Sequence, residues 1–410
     1  MASTVIENIG LLATPIGTTA RAGKGQGEIL FLKNAWLSYE NGVVTGVGEG
    51  KAPAADERLD AGGKLVTPGL IDPHTHLIFG GWRQHELAMK LKGVTYLEIL
   101  AAGGGILSTV KKTRAATLEE LADKAEQELR KMLRLGVTTC ECKSGYGLAA
   151  EEEMKMLHAV RLLRKRQPVE LVSTFMAAHA LPQEYAQDRE GYIRLIIDEM
   201  LPRVAAEHLA EFCDVFCETE VFTPEECRRI LLAAQRLGLA AKCHSDEIDP
   251  IGGTEMAGAI GAVSCEHLIR CQKSGIDAMK AGGTVACLLP ATSFYLGAAF
   301  APARQMIEAG VPVAFGSDFN PGSCPCSNLP LAMNIGCYRY RMTPEECLTA
   351  VTLNAAAAIH RAERLGSLEV GKQADVLIWD AQDLEYIFYR FGDSLAETVV
   401  KNGFVVYTQT

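Results

Sequence analysis

Val66-Thr-Pro-Gly-Leu-Ile-Asp-Pro-His74-Thr-His76 is the stretch whose reading decides the fold. A short apolar run leads into two histidines one residue apart. Side chains at i and i+2 of an extended chain point to the same face. His74 and His76 can therefore aim at one point just beyond the end of a strand. Neutral imidazole is the commonest biological metal ligand, and two converging rings suit Zn²⁺ or Fe²⁺. A bare His-x-His also arises by chance, so the downstream sequence has to decide.

Outward from that stretch, residues 66–366 alternate short apolar strands with helical segments. Eight strand candidates end near His76, Cys142, His179, Glu218, His244, His267, Pro290 and Asp318. Amphipathic helices are expected over 118–135, 151–166, 224–237 and 301–309. Strict alternation of strand and helix implies a parallel sheet. Eight such units close into an α/β fold of the (β/α)₈ TIM-barrel type, with its active site at the strand C-termini. The first crossover is long and holds Arg83 and the run Gly103-Gly-Gly105. Long structured loops on the catalytic face often cover a substrate.

The two ends of the chain have another style. β-rich pieces occur at 28–33, 35–39 and 43–47, with Asn41-Gly42 between the last two. The pattern returns at 374–379 and 398–407, with Asn402-Gly403 inside the latter. Asn-Gly between such runs is a hairpin signal. We expect residues 1–65 and 367–410 to form one small composite β-sandwich domain, with the barrel at 66–366 inserted into it.

Composition bounds the function. The 410 residues are 48% hydrophobic and 22% charged, an ordinary globular balance. A formal net charge of −10 argues against a general nucleic-acid or anionic-membrane binder, though not against a local cationic pocket. No apolar run approaches the roughly 18 residues of a transmembrane helix. Residues 1–15 lack a basic segment followed by a sustained apolar one, so no signal peptide is expected. Thirteen cysteines, an odd number spread through strands and helices, point to free thiols in a reducing cytoplasm. Neither Cys213/Cys217 nor Cys324/Cys326 has a second Cys/His pair at zinc-finger spacing.

Five of the nine histidines, His74, His76, His179, His244 and His267, fall at predicted strand ends. The other four, His85, His158, His208 and His360, read as solvated or structural. Asp318 ends the last strand. His74, His76, His244 and Asp318 make a plausible metal shell. Three imidazoles and a carboxylate, with one position open for water, suit catalytic Zn²⁺ or non-haem iron. Such a metal polarises a carbonyl and lowers the pKa of bound water to about 7.

These residues together resemble the amidohydrolase superfamily: Pro68-Gly-Leu-Ile-Asp-Pro-His-Thr-His76, then a strand-5 His, a strand-6 His and a strand-8 Asp. Finer motifs resemble the branch that opens 4-imidazolone-5-propanoate to N-formimidoyl-L-glutamate in histidine degradation. They are 72–81, Lys143-Ser-Gly-Tyr-Gly147, His244-Ser-Asp-Glu247 and Ser317-Asp-Phe-Asn-Pro-Gly-Ser323. Pro-Gly-x-x-Asp-x-His-x-His alone marks only the superfamily, whereas Lys-Ser-Gly-Tyr-Gly and Asn-Pro-Gly-Ser are much more specific. The resemblance runs through nearly the whole chain.

That resemblance implies a small-molecule substrate with an anionic tail, for which a guanidinium is the natural partner. It implies that Arg83, Tyr146 and His179 contact the substrate, and that the Asn320, Gly322 and Ser323 loop does so through side-chain and backbone donors. Glu247 could accept a proton from a ring nitrogen or move one between water and leaving group. His267 could donate to the carbonyl oxygen as charge develops. Asp318 could serve as both ligand and base. Which of Glu247, His267 and Asp318 carries the decisive proton stays open, as does the choice for Lys143 between structural ion pair and ligand contact. Binuclear relatives use a carboxylated lysine at the end of strand 4. Here Phe212-Cys-Asp-Val-Phe-Cys-Glu218 has none, so one Zn²⁺ or Fe ion per chain is expected, with Glu218 the only nearby carboxylate able to bridge a second. A homodimer is the superfamily's habit.

Two other readings compete. An aminohydrolase deaminating a nucleobase would share the ligands and differ in the loops, where Arg83, Tyr146 and Asn320–Ser323 favour the imidazolone. A catalytically dead scaffold should have lost ligands, and this chain keeps all four, with Glu247 and His267.

Overall fold

A strand at the very start of the chain organises the smaller sheet. In a computed structural model describing residues 3–94, 98 and 103–409, β1 (Ser3–Pro15) pairs antiparallel with β2 (Ile29–Glu40). Asn8 adopts a left-handed backbone (φ 53°), and the β1–β2 register shifts between Ile6 and Ile9. The pieces expected at 28–33 and 35–39 are one strand, continuous through Asn34 in the left-handed region (φ 46°). β2 then turns at Asn41-Gly42 into β3 (Val43–Glu49). Both turn residues have positive φ, 52° and 76°, as a type I′ hairpin requires. β4 (Glu57–Asp60) and β5 (Leu65–Pro68) run parallel to β1, and β5 leads directly into the barrel. Residues 95–97 and 99–102 of the long first crossover lie outside the described residues.

The barrel strands are β6 (Leu70–Asp72), β7 (Val137–Lys143), β8 (Glu170–Ala178), β9 (Phe212–Cys217), β10 (Ala240–Ser245), β11 (Ser264–His267), β12 (Val285–Leu288) and β13 (Val313–Phe315). Each pairs parallel with the next in chain order. The ring closes just beyond the ends of the first and last strands. Asp318 N–H donates to His74 O (3.0 Å) and His76 N–H to Phe319 O (2.9 Å). The seam of the barrel is thus built from the segments that carry the candidate metal ligands.

Helices return the chain between strands. Those at Leu118–Arg134, Pro224–Arg236 and Pro344–Ala350 each open with a Thr-x-x-Glu capping box, formed by Thr117/Glu120, Thr223/Glu226 and Thr343/Glu346. Threonine and glutamate there satisfy backbone donors that have no partner inside the helix. Leu121, Ala125, Leu129 and Met132 lie on one face of the first and are buried.

The chain ends back at the small sheet with β14 (Val376–Trp379), β15 (Ala396–Lys401) and β16 (Phe404–Thr408). The sheet order is β16-β15-β14-β5-β1-β2-β3, with β4 paired to β1, so both termini build one sheet separate from the barrel. Its apolar core contains Ile6, Ile9, Leu12, Leu37, Val66, Val376 and Val400. Asn402-Gly403 makes a second hairpin turn of the same hand (φ 51° and 79°). The two turns meet at Ala374, whose N–H donates to Gly42 O (2.7 Å) and whose O accepts from Gly403 N–H (2.9 Å). Lys401 ties the sheet to the barrel, 2.6 Å from Asp375 and 3.4 Å from Glu170. Among the described residues no helix is long and apolar enough to cross a membrane. All thirteen cysteines are unpaired thiols, and only Cys326 and Cys337 are not fully buried.

Candidate active site

The His-x-His segment leaves the sheet where β6 stops. Asp72 Oδ1 accepts from Ser317 N–H (3.0 Å) and His74 N–H (3.4 Å), which pins the first ligand segment to the last. Three imidazoles then face inward. His76 Nε2 lies 3.2 Å from His244 Nε2, and His74 Nε2 and His76 Nε2 lie 3.5 and 3.7 Å from Asp318 Oδ1. All four side chains are buried. Among the described residues, candidate ligand atoms fall within 4.8 Å of one another in three triads, His74/Glu266/Cys287, His74/His76/Asp318 and His74/His244/His267. His74 joins them, so the four expected ligands and His267 occupy one cluster. Thr292 Oγ1 donates to Asp318 Oδ2 (2.6 Å), leaving Oδ1 turned to the histidines.

This cluster fits a divalent cation on its own geometry. His74 Nε2 is buried without a hydrogen-bond partner. Its Nδ1 lies 2.8 Å from Glu266 Oε2, and His244 Nδ1 lies 3.1 Å from Asp214 Oδ1. A carboxylate only accepts, so each Nδ1 carries the proton and each Nε2 offers a lone pair to the centre. Burial, with Lys143 and the neighbouring rings, holds His74 well below the ordinary histidine range. Burial and His179 do the same for His76. Neutral imidazole is the form that binds metal.

Beneath the cluster lies a buried charged layer. Lys143 Nζ is 2.7 Å from both Glu141 Oε1 and Asp214 Oδ2. Lys242 Nζ donates to Pro73 O (3.0 Å) and lies 3.4 and 3.5 Å from Glu141 and Glu266. Burial pulls the Lys143 pKa down, but Asp214, Glu141 and Glu266 outweigh it and raise the value. Lys143 is therefore an ammonium in an ion pair, the structural alternative of the two its sequence left open. Asp214 is held well below the carboxylate range by His244 and Lys143, against the upward pull of burial. The signal for this layer is visible in retrospect: Glu141, Lys143, Asp214, Lys242 and Glu266 are charged residues inside short strands that carry no other acid, lysine or arginine.

The proposed substrate residues ring the cluster. His179 stacks on His76 with ring centroids 4.8 Å apart, and Tyr146 lies 5.2 Å from His179 and 5.9 Å from His76. Arg83 packs against Gly322, and any Cβ there would collide with its guanidinium. Lys90 Nζ donates to Gly322 O (3.0 Å) and latches the first crossover onto the last loop. Asn320 organises that loop: its Oδ1 accepts from Gly322 and Ser323 N–H (2.8 Å each), and its Nδ2 donates to Asp318 O and Ser323 Oγ. Glu247 Oε2 lies 3.6 Å from His267 Nε2. Burial raises the Glu247 pKa to about 7 and lowers those of His267 and His179 to about 4 and about 3. Glu218, the carboxylate that could have bridged a second ion, accepts instead from Ile248, Asp249 and Thr219 N–H (2.9 Å each). Sequence reasoning missed Asp214, Glu266, Thr292 and Glu153, the last described below.

A parallel barrel that gathers two carboxylate-oriented histidines, a third histidine and an aspartate at its strand ends has the layout of a metal-assisted hydrolase site. Comparison with known proteins agrees. The amidohydrolase family profile matches residues 65–406. An imidazolonepropionase of Alkaliphilus oremlandii is 50% identical over 94% of this chain and 93% of its own length. Another, of Fusobacterium nucleatum, is 49% identical over 99% of each chain. Among solved structures, an adenosine deaminase from Xanthomonas campestris with bound zinc superposes with a TM-score of 0.72 at 18% identity. It covers 99% of this chain and 93% of that one, a likeness of fold alone. The chain belongs to the amidohydrolase family and, within it, to the imidazolonepropionases.

Proposed function

We propose that the chain hydrolyses the ring amide of 4-imidazolone-5-propanoate to N-formimidoyl-L-glutamate. The observation that carries this reading is near-full-length identity of about half to imidazolonepropionases in a chain whose candidate ligands converge. One Zn²⁺ or iron ion, held by His74, His76, His244 and Asp318, would supply Lewis-acid polarisation and an activated water. Mixed imidazole and carboxylate donors accommodate either metal. A single ion is supported by the engagement of Asp214 with Lys143 and of Glu218 with three backbone donors.

The protein's own residues divide the remaining work. Arg83 holds the propionate, and Tyr146, His179 and the Asn320–Ser323 loop fix the ring. His267, neutral at pH 7, donates to the carbonyl oxygen as it gains charge. Glu247, poised near pH 7, moves a proton towards the ring nitrogen, and Asp318 shares the basic role. The carbonyl C–N bond breaks, the leaving nitrogen takes the proton, and the carbonyl carbon becomes the new carboxylate.

The reading extends to a homodimer in a reducing cytoplasm, supported for the compartment by thirteen unpaired thiols. It also takes residues 1–65 and 367–410 as a domain distinct from the 66–366 barrel. The test is ultraviolet absorbance of freshly generated 4-imidazolone-5-propanoate. Rapid loss with formimidoylglutamate as product supports the reading. No acceleration by metal-replete protein, or ammonia release from an aminopurine instead, rejects it.

A further inference from the structure

The turn that carries Tyr146 is held from below by one buried carboxylate. Glu153 sits in the first turn of the helix Ala150–Leu163, yet its side chain makes no cap to that helix. It is fully buried and accepts from three backbone donors of the preceding turn: Gly145 N–H (3.0 Å), Gly147 N–H (2.8 Å) and Leu148 N–H (2.8 Å). The carbonyls of the same turn face other partners. Gly147 O accepts from Arg114 Nε (2.7 Å), and Gly145 O lies 3.0 Å from His179 Nδ1. Gly145 has φ 108°, and a Cβ there would sit 2.8 Å from Met176 O and 3.0 Å from His179 Nδ1. The turn is thereby held in a shape in which three N–H groups converge on the Glu153 carboxylate.

Burying a carboxylate is costly unless every lone pair is engaged. A glutamine of the same volume has a single acceptor oxygen and turns an N–H₂ towards backbone donors. No ordinary packing role explains the charge. Its effect is to fix the carbonyl that orients His179 and the backbone on either side of Tyr146 at the same time.

We propose that Glu153 is a positioning residue for substrate binding, acting through Tyr146 and His179 and not through the metal ligands. This rests on the reading that those two side chains contact the substrate. Glu153→Gln should raise KM about tenfold, the scale of one charge-assisted hydrogen bond, with kcat within about threefold of native. Metal content should not change. In a Tyr146→Phe background the same substitution should raise KM by less than in native protein, because the part of its effect that runs through Tyr146 is already lost and only the part through His179 remains.

The inference is overturned if Glu153→Gln leaves KM unchanged, if it lowers kcat and metal content together, or if its effect multiplies fully with that of Tyr146→Phe. Should Glu153→Gln not fold, Glu153→Asp keeps the charge but shortens its reach, and must give the same KM-selective loss. Native protein with no turnover of the imidazolone would sink the assigned reaction and this inference with it. Active native protein with an indifferent Glu153→Gln sinks the inference alone.

Discussion

The core of the terminal sheet and the floor of the barrel are equally buried and built on opposite chemistry. The sheet core is aliphatic: Ile9, Leu12, Leu37, Val66 and Val400 are inaccessible and touch one another. The barrel floor holds Glu141, Lys143, Asp214, Lys242 and Glu266, each likewise inaccessible. Hydrophobic burial stabilises the first without direction. The second gains little net stability, since removing charges from water costs about what pairing returns. What it provides is orientation. Asp214 and Glu266 aim His244 and His74, and the two lysines hold those carboxylates in place. Stability and catalysis are assigned to different buried regions.

The largest break in that comparison comes from the metal cluster itself. His244→Ala should lower kcat by at least about a thousandfold, by analogy with the loss of a full catalytic group. The Tm of the metal-free protein should fall only modestly, because Lys143 still pairs with Asp214 when the hydrogen bond from His244 Nδ1 is lost. A steady-state assay beside a melting curve of chelated protein checks both halves. Substantial residual turnover would remove His244 from the ligand set.

Lys143→Met comes next and tests the floor. It leaves Glu141 and Asp214 buried beside each other without their shared cation, a change worth about 3 to 5 kcal/mol of stability. Metal affinity should fall as well, by about 10- to 100-fold, as the partner of a ligating histidine loses its anchor. Urea unfolding and chelator competition measure the two. Leu37→Ala in the sheet core should cost a comparable 2 to 5 kcal/mol. It should leave metal affinity and KM at native values. If Leu37→Ala weakened metal binding as much as Lys143→Met, the division of labour between the regions would fail.

The same contrast explains what the sequence makes legible. The barrel is readable because strand and helix alternate and because five histidines and an aspartate mark strand ends. Both Asn-Gly hairpins are readable because only residues tolerant of positive φ serve there. β1 is not readable: Asn8 and the register shift break its alternation, so no period-2 pattern survives across Ser3–Pro15. The ligands are legible because metal chemistry restricts residue type. The residues that orient them are less so. Asp214 and Glu266 are distant in sequence from His244 and His74: pairing of β9 with β10 brings the first pair within hydrogen-bond reach, and closure of the barrel brings the second. Glu153 is hidden for another reason, since a glutamate in a helix's first turn ordinarily serves the helix dipole.

The finest distinction lies at the mouth of the site, where burial tunes a single proton. Glu247 faces His267 at 3.6 Å, with His244 and Glu218 as its other titratable neighbours. Burial raises its pKa from 4.5 to about 7. In the unfolded chain the proton leaves near the ordinary value, so between the two the native state binds more protons than the unfolded one. Stability of the metal-free protein must then decline as pH rises from about 4.5 through about 7, with a slope of up to about one proton from this group. Glu247→Gln abolishes that contribution and should flatten the curve by the same amount. Activity runs the opposite way: a base works only when ionised, so kcat/KM should climb as pH passes about 7, and Glu247→Gln should lose that limb. Melting curves of chelated protein and pH–rate profiles of loaded protein read the two signs independently. Matching curves for native and Glu247→Gln protein in both experiments would move the decisive proton to His267 or Asp318.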